Sequence, residues 1–256
     1  MRSKPMIDYR VADDVAYLHL NNPPVNIMSA AMMDRMTDLI DRIAADDSLK
    51  AVAITAEGKA FCAGADIGEH RPAQAEMMIE SFGRLFRRLD ALEIPLVMAV
   101  GGAAMGAGFE LVLMADVLLA AERARFGQPE IRLGFFAPVG VVVLPDLVGR
   151  ARAMEITCSG RTYTSAEMAE MGIVSRVVAA AELTETLDRV LADFRAASPL
   201  VLRLNTRTLK AGCPGSFSAR LDHAEKVFLE ELMASAEPVE GIEAFYGKRA
   251  PEWRNA

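Results

Sequence analysis

The sequence predicts an α/β fold in which strands and helices interleave first and helices continue alone at the end. Three observations predict it. Apolar runs at residues 51–55, 96–100 and 117–121 have the length of buried strands, and stretches of helical periodicity separate them. Glycine-containing turns follow the first two runs, at Ala63–Asp66 and at Gly106–Gly108. From Ala181 onward the pattern is helical almost without interruption. The change in character near Ala197–Pro199 divides the chain into a mixed core, 1–197, and a helical region, 198–256.

Taken in order, Ile7–Val11 and Val15–Leu20 flank Asp13-Asp14 and read as a β-hairpin. Ser29 is placed to cap a helix whose Met33, Met36, Leu39, Ile40 and Ile43 share one stripe. Residues 71–92 read as a second helix, with Met78, Phe82, Leu85, Phe86 and Leu89 inward. Ile94–Asp116 reads as a buried strand, a glycine turn and a buried helix start, with Glu110 as its single charge before the closing Asp116. Arg125–Ile131 reads as a loop because Pro129 lacks a backbone donor. The apolar run at 133–140 is broken by Pro138, and a helix is expected near 148–159.

Thr164, Ser165 and Glu167 supply capping material for a short helix that Gly172 ends, and residues 173–178 read as a last strand. Helices then follow at 183–197, 199–211, 218–234 and 238–248.

Composition excludes several classes. A net charge of -7 argues against nucleic-acid binding. Three widely spaced cysteines suggest no disulfide framework and fit a cytoplasmic location. The first ten residues have no apolar run behind their charges, so no signal peptide is expected. Glycines and Glu110 interrupt the one long apolar stretch, which argues against a membrane segment. His19, His70 and His223 show no metal-ligand spacing.

Two glycine turns that open helices present backbone N–H groups without intrahelical partners, and such groups attract developing negative charge. Two donors from separate turns make an oxyanion hole. The commoner meaning of such glycines is close backbone packing. Glu110 lies three residues after Ala107 and among apolar neighbours, which disfavours a solvated position. Glu130 lies 20 residues later beside Pro129, where a surface glutamate is the ordinary reading. Two carboxylates beside an oxyanion hole suit acid–base chemistry on a carbonyl compound. Cys62 reads as a small buried residue, and Asp66 as a helix-start residue.

Three motifs stand in order: KAFCAGADI at Lys59–Ile67, GGAAMGAGFELVLMAD at Gly101–Asp116 and ARFGQPEIRLG at Ala124–Gly134. With the closing EPVEGIEAFYGKRAPEW, they resemble the enoyl-CoA hydratase/isomerase, or crotonase, superfamily over nearly the whole chain. The resemblance implies a spiral of repeated ββα units, a helical C-terminal trimerisation region, and a homotrimer or a hexamer built as a dimer of trimers. It implies an acyl-CoA thioester as substrate, with coenzyme A part of that substrate and no separate cofactor or metal.

Carried over by motif position, the oxyanion donors are the N–H groups of Ala65 and Ala107, and the catalytic pair is Glu110 and Glu130. Glu130 is assigned as proton donor and Glu110 as base or water-positioner. Ala63, Gly64, Asp66 and Ile67 are expected to line the CoA side. Phe245 and Lys248 match positions that reach a neighbouring subunit's CoA, although a solvated helix end also explains Lys248.

One segment departs from the pattern. Many hydratases of the superfamily continue with a polar PGxGGTQRL-like stretch, where this chain reads FFAPVGVVVLPDLVG. Phe135, Phe136, Pro138 and the valine run suggest an apolar wall for a bulky or cyclic acyl group, and the valines are otherwise core. With NPPVNIMSAAMM near the N-terminus, this stretch resembles cyclic dienoyl-CoA hydratases. The expected activity is addition of water to an α,β-unsaturated acyl-CoA. A double-bond isomerase or ring hydrolase on the same scaffold, and a non-catalytic acyl-CoA-binding trimer, are the alternatives.

Overall fold

Strands β1 (Ile7–Ala12) and β2 (Val15–Leu20) pair antiparallel with Ala12 opposite Val15. The turn between them has Asp13 and Asp14 at φ 49° and 60°, the backbone that a two-residue hairpin of right-handed twist requires. A computed structural model describes residues 6–71, 73–211 and 228–255. In it β3 (Ala51–Ala56), β5 (Leu96–Val100), β7 (Val117–Ala121) and β10 (Arg176–Val178) extend the hairpin as parallel strands, in the order β1-β2-β3-β5-β7-β10. Continuous apolar runs suit the central strands because both faces are covered. Helix α6 (Leu183–Arg195) packs Leu187, Val190 and Leu191 on one face. Helices α1 (Ala30–Ala44) and α2 (Ala75–Asp90) pack on the other, with the methionine and phenylalanine stripes inward as their spacing predicts.

A second, smaller sheet was not legible as such. It consists of β4 (Ala60–Cys62), β6 (Ala103–Met105), β8 (Arg125–Gly127) and β9 (Thr162–Thr164), in that order. Each strand has three residues, too few to show an alternation, and Ala103–Met105 and Arg125–Gly127 read from sequence as turn and loop. A strand of the large sheet thus leads into one of the small sheet and then into a helical element: β3-β4 to α2, and β5-β6 to α3 (Ala107–Leu113). In the third pass β7-β8 leads to a 3-10 turn, Pro129–Leu133. This is the repeated ββα arrangement that the motifs imply.

Other boundaries move for identifiable reasons. Helix α4 (Pro138–Ser159) starts ten residues earlier than expected, because Pro138 sits in its first turn, where no N–H is needed. It bends at Gly149, whose φ is 76°. Helix α2 starts at Ala75, after a 3-10 turn at Ile67–His70. Helix α5 (Ser165–Glu170) carries the expected capping box between Thr164 and Glu167.

Beyond α6, α7 (Pro199–Lys210) and α8 (Glu237–Gly247) match the helical reading. Of the helix expected at 218–234, residues 218–227 lie outside the described residues, and Phe228–Leu232 form a π-helical turn. The C-terminal segment is tied to the core: Trp253 Nε1 donates to the Ala196 carbonyl at 2.8 Å, and Lys210 pairs with Asp116 at 3.2 Å. Among the described residues, no helix is long and apolar enough to cross a membrane.

The approach of α3 to β4 fixes where the site forms. A Cβ on Gly108 would stand 2.3 Å from the Cys62 carbonyl oxygen and 2.7 Å from the Cys62 Cβ. Only a residue without a side chain lets this helix start lie on that strand. Gly108→Ala is expected to lower the unfolding free energy by roughly 1–3 kcal/mol in urea titration, with an unchanged slope.

Candidate active site

Two turns meet above the small sheet. Gly64 has φ 116°, and a Cβ there would lie 3.3 Å from the Met105 carbonyl oxygen and 4.0 Å from Ala107 N. On the first turn, Met28 N–H donates to Gly64 O at 2.9 Å and Asp66 N–H donates to Met28 O at 3.3 Å. This parallel bridge pairs Met28 with Ala65 and turns the Ala65 N–H away from Met28. On the second turn Ala107 is the first residue of α3, so its N–H has no intrahelical acceptor. Ala65 and Ala107 line one cavity of about 580 Å³. The oxyanion arrangement expected from sequence thus has both of its donors beside one space.

Glu110 lies one turn further along α3 and is 2% exposed. Its Oε1 accepts from Val139 N–H at 2.7 Å and Gly140 N–H at 3.0 Å, the unpaired donors at the start of α4. Burial still dominates and pushes its pKa up to about 7, with Glu130 adding repulsion and the two N–H groups opposing both. Glu130 sits in the 3-10 turn after Pro129, and a Cβ on Gly106 would stand 2.8 Å from its Oε1. Burial raises its pKa as well, and its own backbone N–H and then, more weakly, His70 oppose that rise. Glu130 is therefore not the solvated loop carboxylate that its sequence context resembles.

Gln128, 1% exposed, stands two residues before Glu130. With its amide nitrogen turned toward Glu130, the orientation its surroundings satisfy, it donates to both carboxylate oxygens at 3.1 and 3.0 Å. Glu110 and Glu130 line the same cavity as Ala65 and Ala107. An acidic pair, two backbone N–H groups without helical or bridge acceptors and apolar walls suit a reaction that builds negative charge on a carbonyl oxygen while protons move nearby.

A sequence profile of the enoyl-CoA hydratase/isomerase family matches residues 10–256. The chain belongs to that family. It is 36% identical over 240 residues to the cyclohexa-1,5-dienecarbonyl-CoA hydratase of Thauera aromatica, covering 93% of this chain and 92% of the relative. It is 32% identical over 254 residues to a probable enoyl-CoA hydratase of Bacillus subtilis, covering 97% and 98%. The crystal structure of an enoyl-CoA hydratase from Bacillus anthracis superposes with a TM-score of 0.93 at 27% identity, covering 98% of this chain and all of that one.

In this member of the enoyl-CoA hydratase/isomerase family, Ala63, Gly64, Asp66, Ile67, Phe135 and Phe136 all line the cavity. Asp66 also caps the 3-10 turn, accepting from Gly68 N–H at 2.7 Å. The valine run divides and corrects both readings of it. Val139 and Val143 are half-buried, whereas Val141 and Val142 are exposed on α4 and are neither core nor cavity wall. Lys248 is exposed and does not line this cavity within its own chain. Phe245 lies in α8, and its side chain falls outside the described residues. Cys62 is buried, which raises its pKa to about 11 and leaves it an unreactive thiol.

Sequence reasoning assigned no role to Gln128 or His70. Gln128 was inside a quoted motif, and its place two residues from Glu130 was the available signal. His70 carried no signal beyond its distance from a glycine turn.

Glu110 gives a pH signature. Its native pKa exceeds the model-compound value of 4.5, so the folded chain holds a proton that the unfolded chain releases. Stability therefore falls as pH rises from about 4.5 to about 7 and is then level. Glu110→Gln keeps the oxygen that faces Val139 and Gly140 and removes the charge. It is expected to raise unfolding free energy by about 1–3 kcal/mol at pH 8 and by little at pH 4, measured by urea denaturation at both.

Proposed function

We propose that the protein is an enoyl-CoA hydratase that adds water across the double bond of an α,β-unsaturated acyl-CoA, with a cyclic dienoyl-CoA as its preferred substrate. The observation that carries this reading is the presence of one buried carboxylate, one half-buried carboxylate and two backbone donors on one cavity. The thioester oxygen sits between the Ala65 and Ala107 N–H groups. Water attacks Cβ, electron density moves to that oxygen, and the two N–H groups stabilise the enolate-like state.

Two protons must move. Glu110 takes one from the attacking water, and Glu130 gives one to Cα. For this the pair must hold one proton between them. Burial raises both carboxyls, and repulsion from Glu130 adds to the rise at Glu110, which favours retention of a proton by the pair. Substrate also directs the proton. Glu110 is already buried and tied to two N–H groups, whereas Glu130 is partly open to the cavity. An apolar acyl group that fills the cavity desolvates Glu130 more, which favours Glu130 as the protonated partner.

Phe135 and Phe136 supply an apolar wall, and the Thauera relative is named for a cyclic dienoyl substrate. A hydratase requires loss of the enoyl-thioester absorbance with formation of the hydroxyacyl product. Isomerised product without water addition would overturn it in favour of an isomerase. Glu110→Gln and Glu130→Gln are each expected to lower kcat by about 10²–10⁴-fold. Faster turnover of straight-chain than of ring substrates would remove the cyclic preference.

The active unit in this reading is a homotrimer, or a hexamer of two trimers, in the cytoplasm. Exposed Val141, Val142, Leu147 and Met154 on α4 support burial of that face by another copy. Phe245 and Lys248 then serve a neighbouring subunit's CoA. Light scattering coupled to gel filtration is expected to give three or six times the mass of one chain, and a monomer would overturn the assembly.

A further inference from the structure

The turn that carries the Ala65 N–H is laced to residues 25–30 by four hydrogen bonds. Ala63 N–H donates to the Val25 carbonyl at 3.0 Å, Met28 N–H to the Gly64 carbonyl at 2.9 Å, and Asp66 N–H to the Met28 carbonyl at 3.3 Å. In the fourth, Ala30 N–H donates to Glu69 Oε2 at 2.8 Å. The first three join main chain to main chain, and the fourth uses a side chain. Ala30 is the first residue of α1, so its N–H has no intrahelical acceptor, and the cap residue Ser29 is engaged by Met32 N–H instead. Glu69 therefore takes a free donor at the positive end of the α1 dipole, a charge-assisted bond stronger than its neutral neighbours.

We propose that Glu69 is a positioning residue for the Ala65 oxyanion donor: its carboxylate ties the turn after Ala65 to the start of α1 and so holds the Ala65 N–H toward the cavity. The path between the two residues is short. Glu69 N–H donates to the Asp66 carbonyl at 3.1 Å, and the Asp66 side chain accepts from Gly68 N–H at 2.7 Å, so residues 66–69 form one closed turn. What anchors Glu69 anchors Asp66, the neighbour of Ala65. The main-chain ties leave room for that role. Met28 and Ala65 pair in an isolated bridge with no ladder beyond it, and the Asp66 bond is the longest of the four. Gly64, on the other side of Ala65, has φ 116° and no side chain to restrain it. With Glu69 bound to Ala30, Asp66 N–H stays on Met28 and the Ala65 N–H stays on the opposite side. A turn released at Glu69 is free to pivot at Gly64, and an N–H dipole stabilises a developing charge only when it is aimed. Glu69 itself does not line the cavity, so its effect on substrate passes through Ala65.

The inference rests on Ala65 as an oxyanion donor, so its test reads the donor apart from turnover. Cyclohexanecarbonyl-CoA, isotopically labelled at the thioester carbonyl, has no double bond to hydrate. Its carbonyl stretch is recorded by infrared difference spectroscopy, free and bound. Binding to the unaltered protein is expected to lower the stretch, because aimed donors polarise the carbonyl. Glu69→Ala is expected to abolish roughly half of that lowering and to reduce kcat roughly tenfold, with KM within about threefold. Glu69→Gln keeps an oxygen that accepts from Ala30 N–H, and it is expected to restore most of both. Glu69→Met has the length of glutamate without the acceptor and replaces Glu69→Ala should that variant fail to fold. A full lowering of the stretch in a folded Glu69→Ala or Glu69→Met protein overturns the proposal. A lowering that depends on Glu69 in a protein without hydratase turnover sustains it and sinks the hydratase reading. A bound probe with no lowering even in the unaltered protein ends the oxyanion reading and this proposal together.

Discussion

A carboxylate taken out of water must be held by donors, and Glu110 is held by the first free N–H groups of α4. Much of the site's geometry depends on that bond pair. It joins α3 to α4 at the wall of the cavity and orients one Glu110 oxygen. It also requires that α4 begin at Pro138, so that Val139 and Gly140 present their donors to the carboxylate. The same bonds oppose the rise in pKa without cancelling it, so the group remains poised near neutral pH. The site is therefore less stable than an apolar filling would be, as expected where a buried charge serves chemistry.

Close backbone approach supplies the other half of the site. Gly108 on Cys62 and Gly64 against Ala107 bring two turns from separate ββα units together. Each turn alone has a backbone donor and nothing to act on. Together they line one largely apolar cavity, the setting in which an N–H dipole acts most strongly on a charge.

The large sheet and its helices were legible because their signals repeat: Met33, Met36, Leu39 and Ile40 fall on one stripe, and β3 and β5 are continuous apolar runs. The small sheet was not legible, because three-residue strands such as Ala103–Met105 have no period. Glu110 was legible as a charge among apolar neighbours, but the residues that hold it were not. Val139 and Gly140 act through backbone N–H groups, which no side-chain pattern reports. Gln128 lay within a recognisable motif, yet its contact with Glu130 depends on how the chain folds back between β8 and the 3-10 turn. His70 reaches Phe135 across 65 residues of sequence, a proximity that only the fold creates.

The segment that departs from the polar pattern of many hydratases shows how one stretch serves several constraints. Phe135 and Phe136 face the cavity, Val139 and Gly140 grip Glu110, and Val141 and Val142 point outward. A helix start explains the division, because its free donors, its inner stripe and its outer face lie on different sides within one turn. Replacing the polar stretch therefore need not disturb the acid–base pair, whose support comes from main-chain atoms. The wall formed by Phe135 and Phe136 is then free to differ while Glu110 keeps its main-chain support.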